Sequence, residues 1–203
     1  MSDRFFRRID ESPDPAFYAA PRLVTHIDAG AIAAVTALYE ELLPRTGPVL
    51  DLMSSWRSHL PPGRTGPVVG LGLNADEMAD NPQLDEVVVH DVNAEPRLPF
   101  DDGAFAAVVC CVSVQYLVRP LDTFAEAARV LQADGPLVVT FSNRCFPTKA
   151  VAAWLAGDDE DHVRLVEGYA RATPALGPPS SRSHRPRWGD PLHAVWARRA
   201  GQL

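Results

Sequence analysis

The amino-acid sequence predicts an α/β fold, a doubly wound and mostly parallel sheet with helices on both faces. Three observations predict it. Short apolar runs recur from residue 48 to residue 142, each nearly continuous rather than alternating, as strands buried on both faces read. Segments with helix caps and a helical apolar stripe flank those runs, so strand, crossover, strand is the repeating unit. A chain of 203 residues, 46% apolar and 22% charged, is long enough to bury one sizeable core and short for two domains.

Taken in order, residues 1–20 read as a loose arm. In "HIDAGAIAAVTALYEELLP" Asp28 is placed to cap a helix whose stripe runs through Ile32, Val35, Tyr39 and Leu42, and Pro44 stops it. Strands follow at "PVLDLM" (48–53), "PVVGLGL" (67–73), "EVVVHDV" (86–92), "FAAVVCCVSV" (105–114) and "PLVVTFS" (136–142). "PLDTFAEAARVLQADG" reads as a helix entered at Pro120 and left at Gly135, with Phe124, Ala128 and Leu131 against the sheet. "TKAVAAWLAG" and "DEDHVRLVEGYARA" continue as helix across an acidic break. Residues 173–191 read as a loop rich in Pro, Ser, Gly and Arg, and "PLHAVWARR" reads as the last strand.

Composition narrows the function. Nineteen basic against twenty-six acidic side chains give a net charge of −7, which repels a phosphate backbone and sets nucleic acid aside. No apolar run approaches the ~20 residues of a membrane helix, and the opening lacks the apolar core of a signal peptide, so the expected location is the cytoplasm. Cys110, Cys111 and Cys145 are odd in number and two are adjacent in an apolar run, which suits reduced core thiols rather than a disulfide framework or a metal site.

In a doubly wound sheet, ligands bind beyond the carboxyl ends of the strands. Asp51 ends the first strand where its carboxylate can meet a cationic group, or can serve as a cap or internal ion-pair partner. Ser54 and Ser55 are expected to begin a short helix, whose free N–H groups suit a carboxylate or phosphate; simple capping is the plainer reading. His59 falls one helical turn beyond Ser55, although a lone histidine is more often a packing or surface residue. The stretch "HDVNAEPRLPFDDGAF" leaves little room for a helix between the third and fourth strands. Its Asp91 and Asn93 can pair with a heterocycle edge, and Val92, Leu98 and Phe100 can form an apolar slot or simply anchor a loop.

The order of loop, strand, helix, glycine turn and strand in "LPFDDGAFAAVVCCVSVQYLVRPLDTFAEAARVLQADGPLVVTFS" resembles the class I S-adenosylmethionine-dependent methyltransferases. The likeness extends more loosely over residues 45–143 and again to "DPLHAVWARR". "FYAAPRLVTHID", "LDLMSSWRSHLP" and "FSNRCFPTKAVAAW" are similar to an uncharacterised subgroup of that superfamily. The resemblance implies a Rossmann-like methyltransferase fold with the last strand antiparallel, and a single domain. Residues 1–44 would be an arm and helix covering the cofactor edge, and residues 45–203 the methyltransferase-like α/β part.

The resemblance also implies a site. Asp51 would lie near the amino group of the cofactor methionine, followed by Met53, Ser54 and Ser55. The family's glycines after the first strand are replaced at Met53, Ser55 and Arg57. Its ribose-binding acid falls on Gly72, next to Leu73, with Asn74 the substitute, and its fourth-strand aspartate is Ala106. Asp91, Val92 and Asn93 would hold adenine, and Ser113 and Val114 would line the sulfonium end. His26 is the candidate base; Tyr18, Gln115, Tyr116, Asn143 and Arg144 are candidate substrate contacts, and Trp56 either stacks near the cofactor or packs under the loop. The expected activity is metal-independent methyl transfer from S-adenosylmethionine to a small molecule, with no nucleic-acid or membrane partner and a homodimer allowed. Because the glycines and second-strand acid are missing, a nicotinamide enzyme fits poorly. The same departures admit an alternative, a methyltransferase-like protein that has lost the cofactor and acts as a binding or regulatory partner.

Overall fold

The computed structural model of the protein describes residues 3–201. Among them, seven strands form one sheet: β1 (Val49–Leu52), β2 (Val68–Gly72), β3 (Glu86–Val89), β4 (Ala107–Cys111), β5 (Pro136–Phe141), β6 (Ser180–His184) and β7 (Leu192–Arg198). Their spatial order is β3-β2-β1-β4-β5-β7-β6. Strands β1 to β5 pair in parallel, and β7 runs antiparallel to both β5 and β6, as expected for the last strand. The order reverses at β1, which places the switch point between β1 and β4.

The apolar runs are continuous because both sheet faces are covered. Val49, Ala107, Val109 and Val138 turn to one side, against Val35 and Tyr39 of α2 (Ala29–Leu42). Leu50, Val108, Leu137, Val139 and Phe141 turn to the other, against Phe124 and Ala128 of α4 (Pro120–Val130) and Val166 and Tyr169 of α6 (Asp159–Arg171). Burying each Leu or Phe of this kind stabilises the fold by about 2 kcal/mol before entropy is counted. Asp28 caps α2 by accepting from the Ala31 N–H at 2.9 Å, and Pro120 opens α4 as its sequence position predicts. The loop from β3 to β4 contains no helix, also as predicted.

Three expectations are corrected. The arm is not loose: residues 3–6 form a 3-10 turn, and α1 (Asp14–Phe17) is pinned from below. Asp14, 4% exposed, meets Arg8 at 2.8 Å and Lys149 at 3.2 Å, and Lys149 also donates to the Ser12 carbonyl at 2.6 Å. A buried carboxylate needs such partners, and two cations satisfy it. Second, the predicted loop 173–191 contains β6. Its sequence, Ser180–His184, has no apolar residue because it is a fully exposed edge strand, held by backbone pairing to β7 and by polar contacts of Arg182 with Glu41 and of Ser183 with His193. Third, "TKAVAAWLAG" forms only the one-turn α5 (Ala152–Leu155), since Thr148 and Val151 instead bond to the arm at Asp10 and Arg8.

Candidate functional site

Asp51, 3% exposed, is the penultimate residue of β1. Its Oδ2 accepts from Ser54 Oγ at 2.7 Å and Ser58 Oγ at 2.6 Å, which leaves Oδ1 without a donor among the described residues. Burial pushes this carboxyl up to about 6, while the two hydroxyls pull it back toward its ordinary value. No helix follows. The Ser54 N–H bonds the Leu71 carbonyl at 2.8 Å, prolonging the β1–β2 pairing, and the Arg57 guanidinium ties the loop to the Trp56 and Asp80 carbonyls. The expected helix N-terminus at Ser54 and Ser55 is therefore absent, and with it the helical spacing proposed for His59. Met53 (φ 59°) and His59 (φ 57°) instead adopt left-handed backbone, so Met53 keeps the conformation that a glycine at that position would favour.

The tip of β2 explains the missing acid. A Cβ on Gly72 would lie 2.3 Å from the Ser54 carbonyl, because the β1 loop crosses directly over it. Beyond Leu73, Asn74 caps the short helix α3 (Ala75–Ala79), its Oδ1 accepting from the Glu77 N–H at 3.0 Å and its amide donating to the Tyr18 carbonyl at 2.8 Å. Both ends of the side chain are thus engaged within the chain. Glu77, 7% exposed, accepts from the Arg22 backbone N–H at 2.6 Å and from Ser55 Oγ at 2.7 Å.

At the tip of β3, Asp91 Oδ1 closes a turn by accepting from the Asn93 N–H at 2.9 Å. The Asn93 amide bonds Asp14 and the Tyr116 carbonyl, and its oxygen accepts from the Val118 N–H. Val92 is buried at the wall of the cleft, whereas Leu98 and Phe100 pack into the main core and take no part in a slot.

At the tip of β4, Val112 has φ 51°, a costly conformation for a β-branched residue and of the kind that gathers at functional sites. Ser113 donates to the Cys111 carbonyl at 3.0 Å. Tyr116, its phenol pushed up to about 12 by burial, accepts from the Phe146 N–H at 2.9 Å. Val114 and Gln115 face inward; Gln115 is fully buried and donates to the Val112 carbonyl, so it cannot reach a ligand. Asn143 lines a separate cavity beside the start of α6, and Arg144 is exposed outside the cleft wall.

These tips and the arm enclose one cleft of about 1140 Å³, counting space open to solvent at its mouth. Asp51, Met53, Ser54 and Ser55 line it, with Gly72, Leu73 and Asn74, then Asp91, Val92, Asn93 and Ser113. From the other side come Tyr18, His26 and Tyr116. Loss of solvent around the His26 ring lowers its pKa, and the ring stands edge-on to Phe146 at 5.2 Å. Among the described residues, no group of three or more His, Cys, Asp or Glu side chains is arranged to hold a metal ion.

A methyltransferase-domain family model matches residues 65–139, from just before β2 into β5, and so leaves out β1 and the loop after it. Among solved structures, a protein put forward as a methyltransferase from Bacillus halodurans C-125 aligns over 85% of this chain and 100% of its own (TM-score 0.58, 14% identity). The fold is that of the class I S-adenosylmethionine-dependent methyltransferases. A SAM-dependent methyltransferase from Aquifex aeolicus has the same fold over 92% of this chain and 97% of its own (TM-score 0.56, 14% identity). So does geranyl diphosphate C-methyltransferase from Streptomyces coelicolor A3(2), solved with Mg2+, geranyl-S-thiolodiphosphate and S-adenosyl-L-homocysteine, over 84% of this chain and 76% of that one (TM-score 0.54, 16% identity). No curated protein sequence matches the chain.

Against this methyltransferase fold, sequence reasoning missed Arg22, Ser58, Glu77, Val112 and Phe146, all set at or beside the cleft. Glu77 has a signal, the Asn-x-x-Glu spacing from Asn74, but that spacing reads as a capping box and points to structure. Arg22 and Phe146 come from segments far apart in sequence, and only the folded arm brings them together.

Proposed function

We propose that the chain binds S-adenosylmethionine in this cleft and transfers its methyl group to a small-molecule acceptor. The observation that carries the reading is Asp51: a carboxylate at a strand tip that lines the cleft, held by two hydroxyls through one oxygen, with no donor from the described residues on the other. Such a group is positioned for a cationic amine, whose approach would stabilise the ionised form that burial disfavours. Glu77, on the β2 side, supplies carboxylate oxygens in the neighbourhood where Gly72 cannot carry an acid. Val92 offers an apolar wall for the adenine.

The cofactor, when bound, supplies a methyl group on a sulfonium, ready for in-line displacement. The chain's part is to align the acceptor and exclude water. Tyr18, Tyr116 and Phe146 form the apolar side of the cleft, and His26, neutral at physiological pH because its pKa is lowered, can take the proton of an acceptor hydroxyl or amine. The thiol of the partly buried Cys111, pushed up to about 12 by desolvation, is not a nucleophile at neutral pH.

Isothermal titration with S-adenosylmethionine and S-adenosylhomocysteine tests the reading. Saturable binding that weakens at least tenfold in Asp51→Asn supports it; wild-type protein that is folded and binds neither ligand overturns it. A second reading rests on the internal engagement of Asn74 and Asn93 and the blocked tip of β2. On it, the chain is a methyltransferase-like protein that has lost the cofactor and acts as a binding or regulatory partner. Folded protein that binds neither S-adenosylmethionine nor S-adenosylhomocysteine would favour that alternative, and a retained adenosyl ligand would argue against it.

A further inference from the structure

The sheet ends on two open edges, and they are built by opposite rules. β6 is a polar edge, Ser-Ser-Arg-Ser-His, as an exposed strand requires. β3, at the other end, is Glu-Val-Val-Val, an apolar run of the kind that belongs to strands covered on both faces. The chain does not supply that cover. Val87 is 37% and Val89 59% exposed, neighbours on one face, and of the three valines only Val88 packs against the core on the other. The backbone is open as well. β2 is the only strand beside β3 among the described residues, pairing Leu71 with Val88 and Gly72 with Val89, and the His90 N–H bonds the Gly72 carbonyl at 2.9 Å. Backbone groups alternate in direction along a strand, so Val88 bonds toward β2 while Val87 and Val89 turn their N–H and C=O groups away from the sheet. No proline or lysine stands within residues 86–90 to blunt this edge.

We propose that β3 pairs with β3 of a second copy of this chain, antiparallel, about a two-fold axis through Val88. In this register Val87 faces the partner's Val89 and Val89 the partner's Val87, each such pair exchanging both N–H···O bonds across the edge. The exposed valines of both chains then lie together on one face. On the other, Glu86 stands opposite the partner's His90, so a carboxylate meets an imidazole rather than a second carboxylate. Neighbouring registers lose this match: an axis at Val87 sets Val89 opposite the partner's Asp85, and an axis at Val89 sets Val87 opposite the partner's Asp91. The run Glu-Val-Val-Val-His is thus complementary to itself when reversed, which selects a second copy over an unrelated strand, and an isologous contact of this kind closes at two copies. β3 leads directly into His90 and Asp91, which line the cleft, so the partner stands beside that wall of the site. The proposal is independent of the cofactor reading.

The test measures the mass of the full chain by light scattering after size exclusion, at about 100 µM so that even a weak interface is occupied. Wild type is expected at twice the monomer mass. Val89→Glu places a charge in the shared apolar patch and should weaken association at least about tenfold, returning the monomer, with an unchanged circular dichroism spectrum because the site is exposed in the single chain. Register is read with cysteines under mild oxidation. Val88→Cys should cross-link, since its two copies face each other across the axis about 4.5 Å apart at Cα, and Val87→Cys should not, since its copies lie on a diagonal of about 7–8 Å. Oxidised wild type gives the background from Cys111 and Cys145. A monomeric wild type overturns the proposal. So does a dimer that persists in Val89→Glu, cross-linking through Val87→Cys but not Val88→Cys, or assembly that continues beyond two copies. If Val89→Glu does not fold, the two cysteine variants decide alone.

Discussion

Replacing Asp51 by Asn should make the protein more stable and bind less well. The side chains are nearly isosteric, and the amide oxygen can still accept from Ser54 and Ser58. Burial raises the folded-state pKa from 3.8 to about 6, a difference of about 2 units, or about 3 kcal/mol at 1.36 kcal/mol per unit. The folded state therefore holds this proton more tightly than the unfolded state. Below about pH 4 the group is protonated in both states and costs nothing; as pH rises through 6, its ionisation in the buried site removes up to about 3 kcal/mol of stability. Asn mimics the protonated form at every pH. Asp51→Asn should raise Tm at pH 7.5 by about 6–12 °C as an upper limit, and the gap should shrink toward zero near pH 4. Thermal melts followed by circular dichroism across that range read the difference directly. A variant less stable than wild type at pH 7.5, or a gap that does not change with pH, would refute the reasoning.

Other outcomes follow from the same geometry. Met53→Gly should change stability by no more than about 1 kcal/mol in chemical denaturation, because the relief of φ 59° by glycine offsets the lost packing of Met53 against the core. Gly72→Asp, which would restore the acid usual in the family, should destabilise the fold by several kcal/mol and not improve ligand binding, since its Cβ would collide with the Ser54 carbonyl. Lys149→Met should cost about 3–5 kcal/mol by leaving Asp14 and Asp10 with less compensation, and limited proteolysis should then cut within residues 1–28 before the rest of the chain. Asp14 has its pKa lowered: desolvation raises it, but Arg8, Asn93 and Lys149 together outweigh that. Its contribution to holding the arm is present above about pH 4 and is lost as pH falls through the depressed value.

Much of the fold is legible in the sequence because its strands obey one rule. Val49 to Leu52, Val108 to Cys110 and Leu137 to Phe141 are covered on both faces, and continuous apolar runs admit few alternatives. β6 escapes that rule: Ser180–His184 buries no side chain, and nothing in its composition distinguishes it from a loop. The cleft lies where the convergence of Asp51, Gly72, Asp91 and Ser113 predicts it, since strand tips in such a sheet share an edge. The partners of those residues are another matter. Asn74 and Asn93 look like ligand-binding amides, yet both are used by an arm whose position depends on Asp14, Arg8 and Lys149, three residues with no local pattern. Likewise the loop after Asp51 looks like a helix start in composition. Its actual path is set by the Ser54–Leu71 backbone bond and the space left by Gly72.

That a zwitterionic adenosyl ligand occupies the tips of β1, β2 and β3 beneath the arm is tested most directly by a crystal structure of the protein grown with S-adenosylhomocysteine. The expected density places the amine within hydrogen-bond reach of Asp51 Oδ1 and the adenine beside Val92. Clear density for the protein with a cleft still empty at saturating ligand, or a ligand bound elsewhere, would contradict the account.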